Sequence, residues 1–177
     1  LRMLLEARGP HSKAIVWAHN SHVGDASATA MGWEGEFNIG ELCRMAYPGN
    51  AISVGFGTDR GNVAAASFWD GPMEIKRVRP AREDSYEYAF RKTGIARCLA
   101  DWSKPPAGEL AAALREPMLE RAIGVVYLPE SEYSSHYFQA VLAEQFDLYV
   151  WFEETSAITP LPAIETAGLP ETYPFGL

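Results

Sequence analysis

The stretch Ala14-Ile15-Val16-Trp17-Ala18-His19-Asn20-Ser21-His22-Val23-Gly24-Asp25 passes from an apolar run into a polar turn within a single residue. Its first five residues are too few for a stable helix and are rich in β-branched and aromatic types, so they read as a buried strand. Both imidazoles then fall just past the carboxyl end of that strand. In open α/β sheets this is where ligand sites form.

Three more short apolar runs have the same character: Ala51–Phe56, Ile123–Leu128 and Leu148–Phe152. Helical stretches lie between them. Asn38 with Glu41 and Asp84 with Glu87 each fit an N-cap with an acid three residues on, and Leu1, Leu4 and Leu5 begin a helical pattern at once. Strands apolar on both faces that alternate with helices predict an α/β fold, a largely parallel sheet flanked by helices. From Gly57 to Pro80 the order changes: Val63–Ser67, a turn at Gly71-Pro72, then Met73–Val78 read as an antiparallel excursion at the sheet edge. Residues 1–158 are expected to form part of a single α/β domain. Residues 159–177, with Pro160, Pro162, Pro170 and Pro174, are expected to be an extended tail.

Bulk properties narrow the function. The chain has 177 residues, 47% of them hydrophobic, and a formal charge of −8. Binding to nucleic acid through phosphates requires a basic face, so nucleic acid is excluded as a partner and a small molecule is preferred. No apolar stretch is long enough to span a bilayer, so no membrane partner is expected. The two cysteines, Cys43 and Cys98, fall in segments that read as helix and are expected to be buried thiols, which agrees with a soluble, cytoplasmic protein.

His19 and His22, three residues apart in a strand-end turn, can face one cavity, and an imidazole can take a proton from water or stabilise developing negative charge. The alternative is a hydrogen-bonded turn in which Asn20 and Asp25 cap neighbouring amides. A metal site would need more ligands than His-x-x-His and Asp25 supply, so neither metal nor cofactor is expected. No Gly-x-Ser-x-Gly elbow supports a serine nucleophile, and Gly55-Phe56-Gly57 lacks the rest of a phosphate loop. Gly57-Thr58-Asp59-Arg60-Gly61 reads as a strand-end turn lining the same cleft. His136 is read in the first turn of a helix opening near Ser135, more as a packed residue than a catalytic one. The tryptophans, Trp33 among them, read as core or lid aromatics that could line an apolar cleft.

Several separate motifs now stand in order: Val16-Trp17-Ala18-His19-Asn20-Ser21-His22-Val23; Gly55-Phe56-Gly57-Thr58 with Gly61; Pro80-Ala81 before Ser85-Tyr86-Glu87; and Ser135-His136-Tyr137-Phe138 with Gln145-Phe146-Asp147. Together they resemble the erythromycin esterase family, from Leu4 to about Leu161. The resemblance implies a protein about twice this length, of which this chain is the carboxyl-terminal part and packs against the amino-terminal part. It implies metal-independent hydrolysis of an ester or macrolide lactone by histidine-activated water, with His19 and His22 contributing to the site. Asn20, Gly57, Thr58, Arg60 and Trp33 are the expected substrate contacts. The family's Gly-Glu-x-x-His element, which supplies the main base, does not occur in this sequence, so the chain alone is expected to hold only part of the site. The competing expectation is a non-hydrolytic relative that binds a small molecule or serves polysaccharide biosynthesis.

Overall fold

Tyr149 and Trp151 stand two residues apart on one strand, so their side chains share a face of the sheet, and both are buried. Phe90 lies over the pair, stacked at 5.4 Å on Tyr149 and 5.3 Å on Trp151. This aromatic layer joins helix to sheet. Tyr86, Leu142 and Phe146 complete the cluster. The computed structural model describes residues 1–103 and 109–159.

The strands are β1 (Val54–Ala65), β2 (Glu74–Val78), β3 (Arg97–Asp101), β4 (Met118–Arg121), β5 (Tyr137–Ala140) and β6 (Leu148–Thr155). The helices are α1 (Arg2–Arg8), α2 (Asn20–Val23), α3 (Ala30–Trp33), α4 (Ile39–Ala46), α5 (Tyr86–Lys92), α6 (Glu109–Ala113), α7 (Glu132–Ser135) and α8 (Leu142–Gln145). Among the described residues one sheet has the order β2-β1-β6-β3, and β4 pairs with β5 in a second. The architecture is mixed α/β.

Three expectations hold closely. Leu148–Phe152 lies in β6, the hairpin from β1 to β2 forms the antiparallel edge, and Asn38 caps α4 by accepting the Glu41 N–H at 2.9 Å. The balance of pairing differs from the largely parallel sheet expected. Among the described strands only β1 and β6 are parallel, while β1–β2, β3–β6 and β4–β5 are antiparallel. Two of the four expected strands do not form, and β3, whose Arg-Cys-Leu-Ala-Asp has an apolar run of only three residues, enters the sheet antiparallel to β6. Cys98 is therefore on a strand rather than a helix, and both thiols are half-buried and free.

Ala14–Ala18 forms no strand and pairs with none among the described residues, and Ile15 and Trp17 are 91% and 88% exposed. An apolar run becomes a strand only when a neighbour supplies its backbone hydrogen bonds. Ile123–Leu128 is likewise not a strand. It contributes one parallel bridge, in which Ala66 donates to Val125 at 2.8 Å and accepts from Tyr127 at 3.0 Å. The ladder stops there because β1 has ended at Ala65.

Gly57–Gly61, expected as a turn, runs through β1, which is longer than its apolar portion. Gly61 pairs with Thr155 of β6 on one side and Val78 of β2 on the other, at φ 124°. A Cβ there would collide with the Thr155 carbonyl, so glycine is needed where the strand changes partner. The cap of α5 is Ser85 rather than Asp84, since Ser85 accepts the Tyr88 N–H and Asp84 pairs with Arg82. His136 closes α7 instead of opening a helix, and β5 follows it. The expected tail falls beyond residue 159, outside the described residues. Among the described residues no helix is long and apolar enough to cross a membrane.

Candidate active site at the turn from His19 to His22

His19 is the N-cap of α2. Its Nδ1 accepts the Ser21 N–H at 3.2 Å and lies 2.9 Å from the Ser21 hydroxyl. Accepting an N–H requires a lone pair on Nδ1, so the ring proton sits on Nε2 and is donated to the Ile123 carbonyl at 3.0 Å. Burial lowers the His19 pKa below the ordinary histidine value; the Ile123 carbonyl opposes this and the neighbouring His22 adds to it. His19 is a neutral imidazole with both nitrogens engaged.

His22 stands beside it in an edge-on arrangement, with 6.4 Å between ring centroids. It is exposed, and among the described residues its ring nitrogens have no hydrogen-bond partner. The turn is pinned from behind. Asn38 donates to the carbonyls of Ser21 and Gly24, each at 2.8 Å, and the Ser53 hydroxyl donates to the Val23 carbonyl at 2.6 Å. Arg44 reaches Asp25 at 3.3 Å and Asp147 at 3.5 Å, fastening the next segment.

Asn20 turns inward. Its Nδ2 donates to the Phe56 carbonyl at 2.7 Å and its Oδ1 accepts the Phe56 N–H at 3.2 Å, so the side chain occupies the place of a neighbouring strand on β1. The turn therefore docks near the start of β1 and not beyond the carboxyl end of a strand of its own. The same Nδ2 lies 3.4 Å from Oε1 of Glu120.

A groove of about 1940 Å³ opens beside the turn, lined in part by His19, Asn20, Gly57, Thr58, Trp17 and Phe56. His22, Arg60 and Trp33 are not on its wall. Arg60 is held by Glu153 at 2.6 Å and Glu154 at 3.4 Å, and Trp33 donates its indole N–H to the Ser27 carbonyl at 3.0 Å. His136 is a packed residue: its ring lies 5.2 Å from that of Tyr127, and Nε2 accepts the Leu128 N–H at 3.2 Å. Among the described residues no group of three or more His, Cys, Asp or Glu could hold a metal ion.

Behind the groove lies a set of buried charges, of which Glu87 alone belongs to a sequence motif. Glu120 is 0% exposed, and desolvation, reinforced by the charge of Glu87, raises its pKa to about 8, against hydrogen bonds from Gln145 and Asn20. Glu87 is 1% exposed and also raised by burial, although its Oε1 accepts the Arg121 N–H at 2.9 Å. Arg121 faces Glu132 at 3.2 Å and the Asp59 carbonyl at 3.0 Å. Tyr127 donates to Glu132 as well. The signal was available: Glu120-Arg121 interrupts the apolar Met118-Leu119 and Ala122-Ile123, an arrangement that requires either exposure or a buried network.

Comparison with solved structures places the fold among known ones. The chain is similar to a protein from Bacillus cereus at 21% identity and TM-score 0.65, with 80% of this chain and 33% of that one covered. It is similar to a succinoglycan biosynthesis protein at 22% identity and TM-score 0.64, with 80% and 33% covered. It is also similar to a histidine-to-asparagine mutant of the erythromycin esterase EreC in its open conformation, at 19% identity and TM-score 0.52, with 86% and 34% covered. The chain thus spans about a third of the length of these structures. The family model described as erythromycin esterase matches residues 1–155, and the chain belongs to that family.

Proposed function

We propose that the intact protein is an erythromycin esterase-like hydrolase that adds water to a carboxylic ester or macrolide lactone without a metal. The observation that carries this reading is the division of labour in the turn: His19 is neutral and fully engaged, which leaves the ring of His22 free to act. The water oxygen attacks the carbonyl carbon while its proton passes to a general base supplied elsewhere in the intact protein. His22 holds the water or donates to the developing oxyanion, and the departing alkoxide recovers the proton as the C–O bond breaks. Asn20, Gly57 and Thr58 line the substrate groove, with Arg60 and Trp33 as outer contacts.

The groove is wider than an ordinary small-molecule pocket, and Ile15 and Trp17 on its wall are almost bare. Further segments of the intact protein cover this wall. The free thiols of Cys43 and Cys98 support a cytoplasmic setting. A role in antibiotic resistance follows if the substrate is a macrolide.

A second reading, a non-hydrolytic small-molecule-binding or polysaccharide-biosynthesis protein, is favoured by two observations. The only imidazole of the pair on the groove wall is the engaged one, His19, and the fold resembles a succinoglycan biosynthesis protein. Incubating the intact protein with macrolides and simple esters, with and without chelator, separates the readings by mass spectrometry. Chelator-insensitive gain of one water supports the hydrolase; tight binding of a panel member without turnover supports the binding protein.

A further inference from the structure

Among the described residues, six buried side-chain polar atoms lack a hydrogen-bond partner, and five of them belong to one cluster: Glu87 Oε2, Glu120 Oε2, Arg121 Nη2, Gln145 Oε1 and the Tyr149 hydroxyl. Such atoms are rare in folded proteins, and their concentration behind the turn requires an account. Glu120 lies on β4. Glu87 and Tyr86 face it from α5, Asn20 from α2, Gln145 from α8 and Tyr149 from β6. Its sequence neighbour Arg121 directs its guanidinium to Glu132 and to the carbonyls of Thr58 and Asp59. Among the described residues no lysine or arginine forms a salt bridge with Glu87 or Glu120. The Arg121 charge still reaches Glu87, whereas among the described residues no cation offsets the burial of Glu120. Two adjacent buried carboxylates do not both ionise at neutral pH, because each is desolvated and repels the other, and Glu120 is the one without a compensating charge.

The geometry decides which oxygen takes a proton. Oε1 of Glu120 accepts from Asn20, so the proton belongs on Oε2. There it turns an orphaned acceptor into a donor among groups that include two acceptor-only oxygens, Glu87 Oε2 and Gln145 Oε1. We propose that Glu120 stands as the protonated acid and is a positioning residue, holding Asn20, and through it the turn that carries His19 and His22, on β1. Its bearing on turnover rests on the hydrolase reading; its protonation and its grip on Asn20 do not. Asn20 shares one amide between the Phe56 carbonyl at 2.7 Å and Glu120 at 3.4 Å. That nitrogen carries two hydrogens, so both bonds stand together; ionised Glu120 is the stronger acceptor, shortens its own bond and so shifts the amide that also holds Phe56.

The test is NMR of the intact protein, following glutamate side-chain carboxyl carbons, the Asn20 side-chain amide and the Phe56 backbone amide across a pH titration. Expected is one glutamate that titrates far above its ordinary 4.5, near 8, and disappears in Glu120→Gln. The Asn20 and Phe56 signals should move with that same midpoint in the native protein and stay still in the variant. If every glutamate titrates in the ordinary range, or if Asn20 and Phe56 ignore the midpoint, the inference is overturned. Where the protein turns over an ester, the native pH profile should carry a change near that midpoint that Glu120→Gln lacks. Coupled titration without turnover of any substrate supports the positioning role and counts against the hydrolase reading alone.

Discussion

Asn20 grips Phe56 by both of its backbone polar groups, giving an N–H at 2.7 Å and taking one at 3.2 Å. A side chain thereby satisfies a strand position that would otherwise be open, and the orientation of the His19–His22 turn depends on it. Asn20→Ala should cost about 1–3 kcal/mol, the usual loss when bonded groups are left without partners. Asn20→Asp should cost at least as much, because it removes the donor and sets a carboxylate beside Glu120. Urea denaturation of the two variants against the native protein measures both.

Gly57 meets Tyr149 with no room to spare, since a Cβ on Gly57 would collide with the Tyr149 hydroxyl. Gly57→Ala should therefore destabilise by about 1–3 kcal/mol through overpacking. That hydroxyl has no partner among the described residues, so Tyr149→Phe should be neutral or slightly stabilising and should recover part of the loss in the double variant. A double-mutant cycle by thermal denaturation reads the coupling; strict additivity would show that the two positions do not touch.

The pH dependence of stability should contain two opposed contributions. His19 binds its proton less readily folded than unfolded, so its stabilisation is present above its unfolded pKa of 6.5 and is lost as pH falls below that value. Glu120 binds its proton more readily folded, so its stability is full below 4.5 and is lost as pH rises toward about 8. Glu120→Gln should melt at a temperature equal to or above native near neutrality, with the gap narrowing in acid. His19→Asn should lose the acid-side fall that begins below 6.5. Calorimetric melting curves at a series of pH values would separate the two slopes.

Arg121 holds Glu132 at 3.2 Å where neither is appreciably exposed. Arg121→Met should cost about 3–5 kcal/mol, because it leaves a buried carboxylate unpaired. Arg121→Met with Glu132→Gln should recover much of that. Guanidinium denaturation of the single and double variants gives the comparison.

The parts of the fold legible in sequence were those set by local pattern. Leu148–Phe152 packs Tyr149 and Trp151 on one face, and Asn38 caps α4 through a bond to the third residue on. Ala14–Ala18 and Ile123–Leu128 have strand composition, but composition does not supply a hydrogen-bonding neighbour. β3 was invisible for the opposite reason: Arg97–Asp101 owes its pairing to β6 rather than to its own residues. At the candidate site, the motif singles out His19, Asn20 and His22, and nothing in it distinguishes the engaged imidazole from the free one. That distinction rests on the Ile123 carbonyl, a partner no local pattern reveals. Glu87 fits a cap acid by local pattern; tertiary packing instead buries it against Arg121.

The turn with the two imidazoles is held by Phe56, Ile123 and Glu120, which lie 36, 104 and 100 residues from the residue that binds each. Closing loops of that span precedes any gain from the contacts, so such contacts form late and slowly. A short peptide carrying His19-Asn20-Ser21-His22 will therefore not reproduce the arrangement. On a growing chain, the imidazole pair acquires its fixed geometry only after β4 and the segment through Ile123 have been synthesised.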